Sequence, residues 1–172
     1  MTQSSDQKNQ ISEAVRLLTQ PRLGVLDQNF LCQSVGVLNL APAITIQETQ
    51  SLEDALKLLR DNRIGCLVVT NKNNVITGIF SERDCVLKVL EWSREEFSKP
   101  VSEYMTKDPI AQAPDSTIGF ALQLMSQGGF RHLPIIDEQN HPIGLLSVKD
   151  VVDYMVEKFT DDLLNFHTES IV

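Results

Sequence analysis

Two serine–aspartate pairs carry the chemistry open to this chain. Residues 78–86 read GIFSERDCV and residues 144–152 read GLLSVKDVV. Ser81 and Asp84, and again Ser147 and Asp150, therefore stand three positions apart, behind Gly78 or Gly144 and among apolar residues. Such a spacing at the start of a helix has two readings. As a cap, the serine oxygen accepts from the N3 backbone N–H, and an acid at N3 is favoured by the helix dipole. Aspartate reaches back less well than the glutamate or glutamine preferred in a capping box. As a ligand site, the free N–H groups and the serine hydroxyl suit a phosphate, while a short carboxylate accepts from the two hydroxyls of a ribose. The glycine would let something outside the chain come close to the backbone. Both readings stand on these residues alone.

The elements that must position the pairs repeat at a constant offset of 66 residues. Leu52–Leu90 and Ile118–Val156 are identical at nine of 39 positions, among them Gly78/Gly144, Ser81/Ser147 and Asp84/Asp150. The order of periodicities is the stronger sign. Each block opens on an extended piece after a proline, AITI after Pro42 and IAQ with Pro109. An amphipathic helix follows: Leu52, Ala55, Leu56 and Leu59 in one block, Ile118, Ala121, Leu122 and Met125 in the other. Ser51, and Asp115 or Ser116, are its expected N-caps. Two strands come next, CLVVT and VITGIF around NKNN, then HLPII and PIGLL around DEQNH. A closing helix begins at each serine. The expected fold is of the α/β (α+β) class, with two β-α-β-β-α units packed through their sheets about a pseudo-twofold axis. The predicted division is 1–34, an N-terminal extension, partly helical; 35–92, unit one; 93–107, a linker and entry to unit two; 108–157, unit two; and 158–172, a helical tail.

Outside the repeat, Ile11, Ala14, Val15 and Leu18 predict a helix broken at Pro21, and Ser93 with Glu96 predicts a capping box in the linker. Residues 1–10 are expected to be mobile. Val152, Met155, Val156, Phe159, Leu163 and Phe166 form a stripe that serves either a homodimer contact or packing on the N-terminal extension.

Composition narrows the functions. The 172 residues carry a net charge of −8, which disfavours general binding of nucleic acid or anionic membrane. No run approaches the roughly 18 apolar residues of a membrane span. Three cysteines, with no C-x-x-C pair, give neither a disulfide framework nor zinc spacing and suit a reducing cytoplasm. No metal site is expected. No Gly-x-Ser-x-Gly, His-Glu-x-x-His or phosphate-loop motif occurs, and no nucleophile has an evident base, so an enzyme and catalytic residues are not expected.

The stretches FRHLPIID and PIGLLSVKD, with the more divergent IGCLVVTN and ITGIFSERD, resemble the cystathionine β-synthase (CBS) domain over about residues 35–157. Two such units resemble a Bateman module in a stand-alone CBS-domain protein. The resemblance implies a non-catalytic regulatory sensor that binds an adenosine nucleotide (AMP, ADP or ATP) and acts on an unidentified partner protein. The alternatives are an interaction or dimerisation module with an unused cleft, or an S-adenosylmethionine binder. It also implies the site residues. In the first site Ser81 and Asp84 take phosphate and ribose, Ile110 and Ala111 lie against the base, and Arg131, His132 and Lys149 meet phosphate. The second site has Ser147 and Asp150 with Ala43 and Ile44. Its basic help comes from Arg83 alone, because Gly65 and Cys66 stand where Arg131 and His132 stand in the other.

Overall fold

The computed structural model describes residues 28–38, 40–89 and 93–169, with side chains described as far as residue 160. The helix expected from Ile11 and the expected mobility of residues 1–10 lie outside the described residues, as do the side chains of Leu163 and Phe166. Along the chain run α1 (Gln28–Cys32), β1 (Thr45–Gln47), α2 (Leu52–Asn62), β2 (Cys66–Thr70), β3 (Ile76–Ser81), α3 (Glu82–Lys88), α4 (Arg94–Ser98), β4 (Thr106–Lys107), α5 (Ile118–Gly128), β5 (His132–Ile136), β6 (Pro142–Ser147) and α6 (Val148–Glu169).

Strand β1 runs parallel to β2, β2 pairs antiparallel with β3, and β4 closes that sheet at the far edge of β3. In the second unit β5 pairs antiparallel with β6 in the same register as β2 with β3: Cys66 faces Ser81, and His132 faces Ser147. Even the irregularity recurs, between Val69 and Thr70 and between Ile135 and Ile136. The expected extended piece of unit two is reduced to a single parallel bridge, Gln112 to Ile135.

Local chemistry explains the repetition. Asn71 accepts from the N–H groups of Asn73 and Val75, and Asp137 accepts from those of Gln139 and His141. These side-chain-closed turns hand the chain to Asn74 and Asn140, both in the left-handed region at φ 59° and 61°. Ser51 caps α2 by accepting from Asp54 N–H. The cap of α5 is Thr117, which accepts from Phe120 N–H, and not Asp115 or Ser116. Thr117 is the residue 66 positions after Ser51. In the linker, Ser93 caps α4, but Glu96 spends its carboxylate on Lys99 and Tyr104, so only half of the expected box forms.

Each unit has its own core. Leu52, Ala55, Leu67, Val69 and Phe80 fill one; Ile118, Ala121, Leu133, Ile135 and Leu146 fill the other. Strand β2 is buried at every residue, so it is covered on both faces. Leu67 and Val69 point into the first core, whereas Cys66 and Val68, on the opposite face, are buried outside both cores. Cys66 lines the cavity at the junction with the second unit. Asn140 O accepts from Ile76 N–H across the junction, and Arg83 reaches Gly129 O.

The segment before each unit packs on the other. Ser34 bridges Thr117, as Pro100 bridges Ser51. The close approach permitted by the two glycines has the same origin. A side chain at Gly78 would strike Met105 and come within 3.1 Å of Thr106 O, and one at Gly144 would meet Leu40 at 3.4 Å. What comes close is therefore the chain itself, and not a group outside it.

Candidate functional site

The capping reading of Ser81 and Asp84 is met in full. Asp84 Oδ2 accepts from Ser81 N–H at 2.9 Å and from Ser81 Oγ at 2.6 Å, and Ser81 Oγ faces Asp84 N–H at 3.4 Å. Ser147 and Asp150 make the same three contacts at 2.7, 2.7 and 3.2 Å. The shorter acid thus reaches back in both copies, against the sequence expectation.

Around this shared cap the two copies differ. Asp84 is only 7% exposed. Its Oδ1 accepts from Thr106 Oγ1 at 3.0 Å and lies 2.7 Å from Lys88 Nζ, which also donates to Thr106 Oγ1 at 3.2 Å. Burial pushes the carboxyl up, but the hydrogen bonds from Lys88 and Ser81 outweigh it and hold Asp84 below its ordinary value. The residues matching Lys88 and Thr106 in the other copy are Tyr154 and Leu40. Tyr154 turns away, donating to Gln33 Oε1 at 2.8 Å and stacking on Phe30.

A cavity of about 500 Å³ opens on the Asp84 side. It joins Ser81, Asp84 and Lys88 of unit one to Ile110, Arg131 and His132 of unit two. Five of the seven first-site residues line it: Ser81, Asp84, Ile110, Arg131 and His132. Ala111 and Lys149 do not. Lys149 instead pairs with Asp153 one turn along the exposed face of α6. Arg83, expected in the second site, lines this first cavity, with its guanidinium 3.0 Å from Gly129 O. The reason is geometric: the second helical residue of one unit reaches toward the end of the first helix of the other. A second cavity, lined by Leu56, Leu59, Arg60, Arg63, Ile64, Glu82 and Cys85, lies elsewhere on unit one. Ser147, Asp150, Ala43 and Ile44 line neither.

Electrostatics mark the cleft as mixed. Glu82, Asp84 and Asp108 stand against Arg83, Lys88 and Arg131. His132 sits where the units touch: a side chain at Gly65 would come within 3.5 Å of its Cε1 and 3.4 Å of Glu82 Oε2. Burial, then the charge of Arg131, pushes the His132 imidazole below its ordinary value, against the pull of Asp150 and Glu82. The Cys66 thiol beneath is pushed up to about 12 by burial, with help from the charge of Asp84, and is not a nucleophile at neutral pH. Among the described residues no His, Cys, Asp and Glu cluster fits a metal, and no helix is long and apolar enough to cross a membrane.

Sequence reasoning missed Lys88, Thr106, Glu82 and Asp108. Lys88 was within reach of it, since Asp84 and Lys88 are four apart on one helix. Thr106 and Asp108 were not, because they flank the entry to unit two and no local pattern ties that entry to unit one.

Two repeated α/β units share a cleft, and the family model of the CBS domain matches residues 35–91 and 101–157. The chain belongs to the CBS-domain family. A 17.7 kDa protein of Acidianus ambivalens is 32% identical over 130 residues, covering 76% of this chain and 77% of that one. A CBS-domain protein of Agrobacterium tumefaciens is 31% identical, with a TM-score of 0.63 over 70% of this chain and 98% of that one. A CBS-domain protein of Pyrobaculum aerophilum, solved with AMP, shares the fold at 22% identity and a TM-score of 0.60, over 68% of this chain and 88% of that one. The chain spans only 21% of the length of a longer CBS-domain relative from Arabidopsis thaliana, 34% identical over 116 residues.

Proposed function

We propose that the chain is a regulatory sensor of an adenosine nucleotide, AMP, ADP or ATP, with no catalysis of its own, acting through a partner protein in the cytoplasm. One observation carries this reading: the cavity sets the ribose-type acid of unit one, Asp84, opposite Arg131 and His132 of unit two. A diol-binding carboxylate and two basic groups across one cleft suit a nucleotide, and a ligand bridging two units biases their arrangement. The AMP complex of the Pyrobaculum relative supports the choice of ligand class. A neighbour solved with 5′-methylthioadenosine and S-adenosylmethionine keeps uncharged and sulfonium adenosine compounds in the comparison. The test is a thermal-shift panel of AMP, ADP, ATP, adenosine and S-adenosylmethionine, since a ligand that binds only the folded chain raises its melting temperature. Asp84→Ala should abolish the shift and Asp150→Ala should leave it. No shift with any compound overturns the reading.

The second reading, an interaction module that uses the fold without a ligand, draws on the capping box itself, which forms in both copies from the chain's own atoms. For assembly we propose a homodimer through the outer helix faces. Val86 and Val152, equivalent in the repeat, are both exposed, and Val156 and Phe159 extend that row along α6. Within the described residues the stripe splits, because Met155 packs into the second core. A Val156→Glu, Phe159→Glu double variant should sediment as a monomer if the proposal holds, and at the wild-type mass if it fails.

A further inference from the structure

Asp84 has no lone pair to spare. A carboxylate offers about four acceptor sites, and four protein donors occupy them: Ser81 N–H and Ser81 Oγ on Oδ2, Thr106 Oγ1 and Lys88 Nζ on Oδ1. Any ligand whose ribose bonds Asp84 must displace one of them. The Ser81 bonds hold the start of α3, and their loss breaks the cap. Thr106 and Lys88 are the movable pair. The fold does not demand that pair, because Asp150 completes the same cap with Tyr154 and Leu40 at the matching positions. Lys88 is therefore in excess of what the helix needs, and it lines the cavity.

Resting on the adenosine-site reading above, we propose that Lys88 is the residue that sets the preference for an anionic over a neutral adenosine ligand. It exchanges Asp84 for the ligand's phosphate as the ribose hydroxyls take its place on Oδ1. Its side chain is 36% exposed, on a stem flexible enough to turn. Against a neutral ligand the same lysine is only a competitor: its attraction to Asp84 must be broken with no new anion to meet it. Against a phosphorylated ligand the broken contact is replaced.

The test is calorimetric titration of AMP and of adenosine into the full chain, wild type against Lys88→Met, Lys88→Arg and Thr106→Val. Lys88→Met should lower the ratio of AMP to adenosine affinity by about tenfold, the scale of one charge-assisted hydrogen bond, with adenosine binding more tightly than to wild type. Lys88→Arg should keep most of the ratio. Thr106→Val removes a partner of Asp84 that carries no charge, and should shift both ligands alike with the ratio unchanged. Melting temperatures taken in parallel confirm that each variant is folded. If Lys88→Met moves both ligands by the same factor, the inference is overturned while the adenosine reading survives. If wild type binds neither ligand, the inference is overturned, and the adenosine reading falls with it only if ADP, ATP and S-adenosylmethionine also give no thermal shift.

Discussion

Asp84→Ala and Asp150→Ala form an internally controlled pair, because one chain presents the same cap twice with different surroundings. Truncating Asp150 removes the acceptor for Ser147 N–H from a half-buried cap, which costs about 1 kcal/mol, the usual scale for a capping side chain. Truncating Asp84 removes the equivalent bond and also strips Thr106 and Lys88 of their partner. Those contacts are worth about 1–2 kcal/mol more, after discounting for the solvent that screens a one-third-exposed lysine. The total for Asp84→Ala is then about 2–3 kcal/mol. Urea denaturation should show a lower midpoint for both variants with an unchanged slope, and a larger fall for Asp84→Ala. In thermal melts the gap of about 1.5 kcal/mol separates the two variants by roughly 3–6 °C for a chain of this size. Equal costs would refute the reasoning, since the Lys88–Thr106 pair would then add nothing to a plain helix cap. A Lys88→Met variant closes the cycle, and its loss should vanish in the Asp84→Ala background.

Stability should fall in two separate windows as the pH drops. His132 is held below its ordinary value of 6.5, so the unfolded chain takes up a proton that the folded chain resists, and stability declines as pH falls below 6.5; His132→Gln should flatten that limb of a denaturation-versus-pH curve. Asp84 is held below its ordinary 3.8, so its contribution is present above that value and is lost only as pH falls beneath it; Asp84→Asn should remove this more acidic limb. Gly78→Ala should destabilise by about 1–3 kcal/mol through overpacking of Met105 and the β4 backbone, while Gly144→Ala, which meets Leu40 at ordinary contact distance, should be tolerated in the same melts.

The repeat was legible in the sequence because it is written in short-range signals. Strands β2 and β5 begin and end where the apolar runs CLVVT and HLPII do, and α2 and α5 follow the 3.6-residue stripe. Thr117 was passed over for its neighbours because serine and aspartate outrank threonine in intrinsic capping preference. The register with Ser51, a non-local fact, decides the matter. The half of the site supplied within each block was equally visible. What local pattern could not reveal was the exchange of entry segments, in which the strand before unit two completes the sheet of unit one. That exchange delivers Thr106 to Asp84 and Ile110 to the cleft.

The same exchange explains why one signature can be structural and the other functional. Capping requires only Ser and Asp at a strand-to-helix junction, so both copies keep them and their atoms superpose in role. A ligand site needs groups that the unit itself cannot provide: basic residues at the start of the opposite strand and a polar entry segment. On the Asp84 side these are Arg131, His132 and Thr106. On the Asp150 side the corresponding positions hold Gly65, Cys66 and Leu40, two of them without a polar handle and one a thiol buried with its proton held fast. Placing arginine and histidine at positions 65 and 66 would therefore not suffice to build a second anion site. Leu40 and Tyr154 would still deny Asp150 the exchangeable cation and hydroxyl that Asp84 has. A Gly65→Arg, Cys66→His variant should show one adenosine ligand per chain in titration, as the wild type should. A stoichiometry of two would show that the opposing strand alone makes the site.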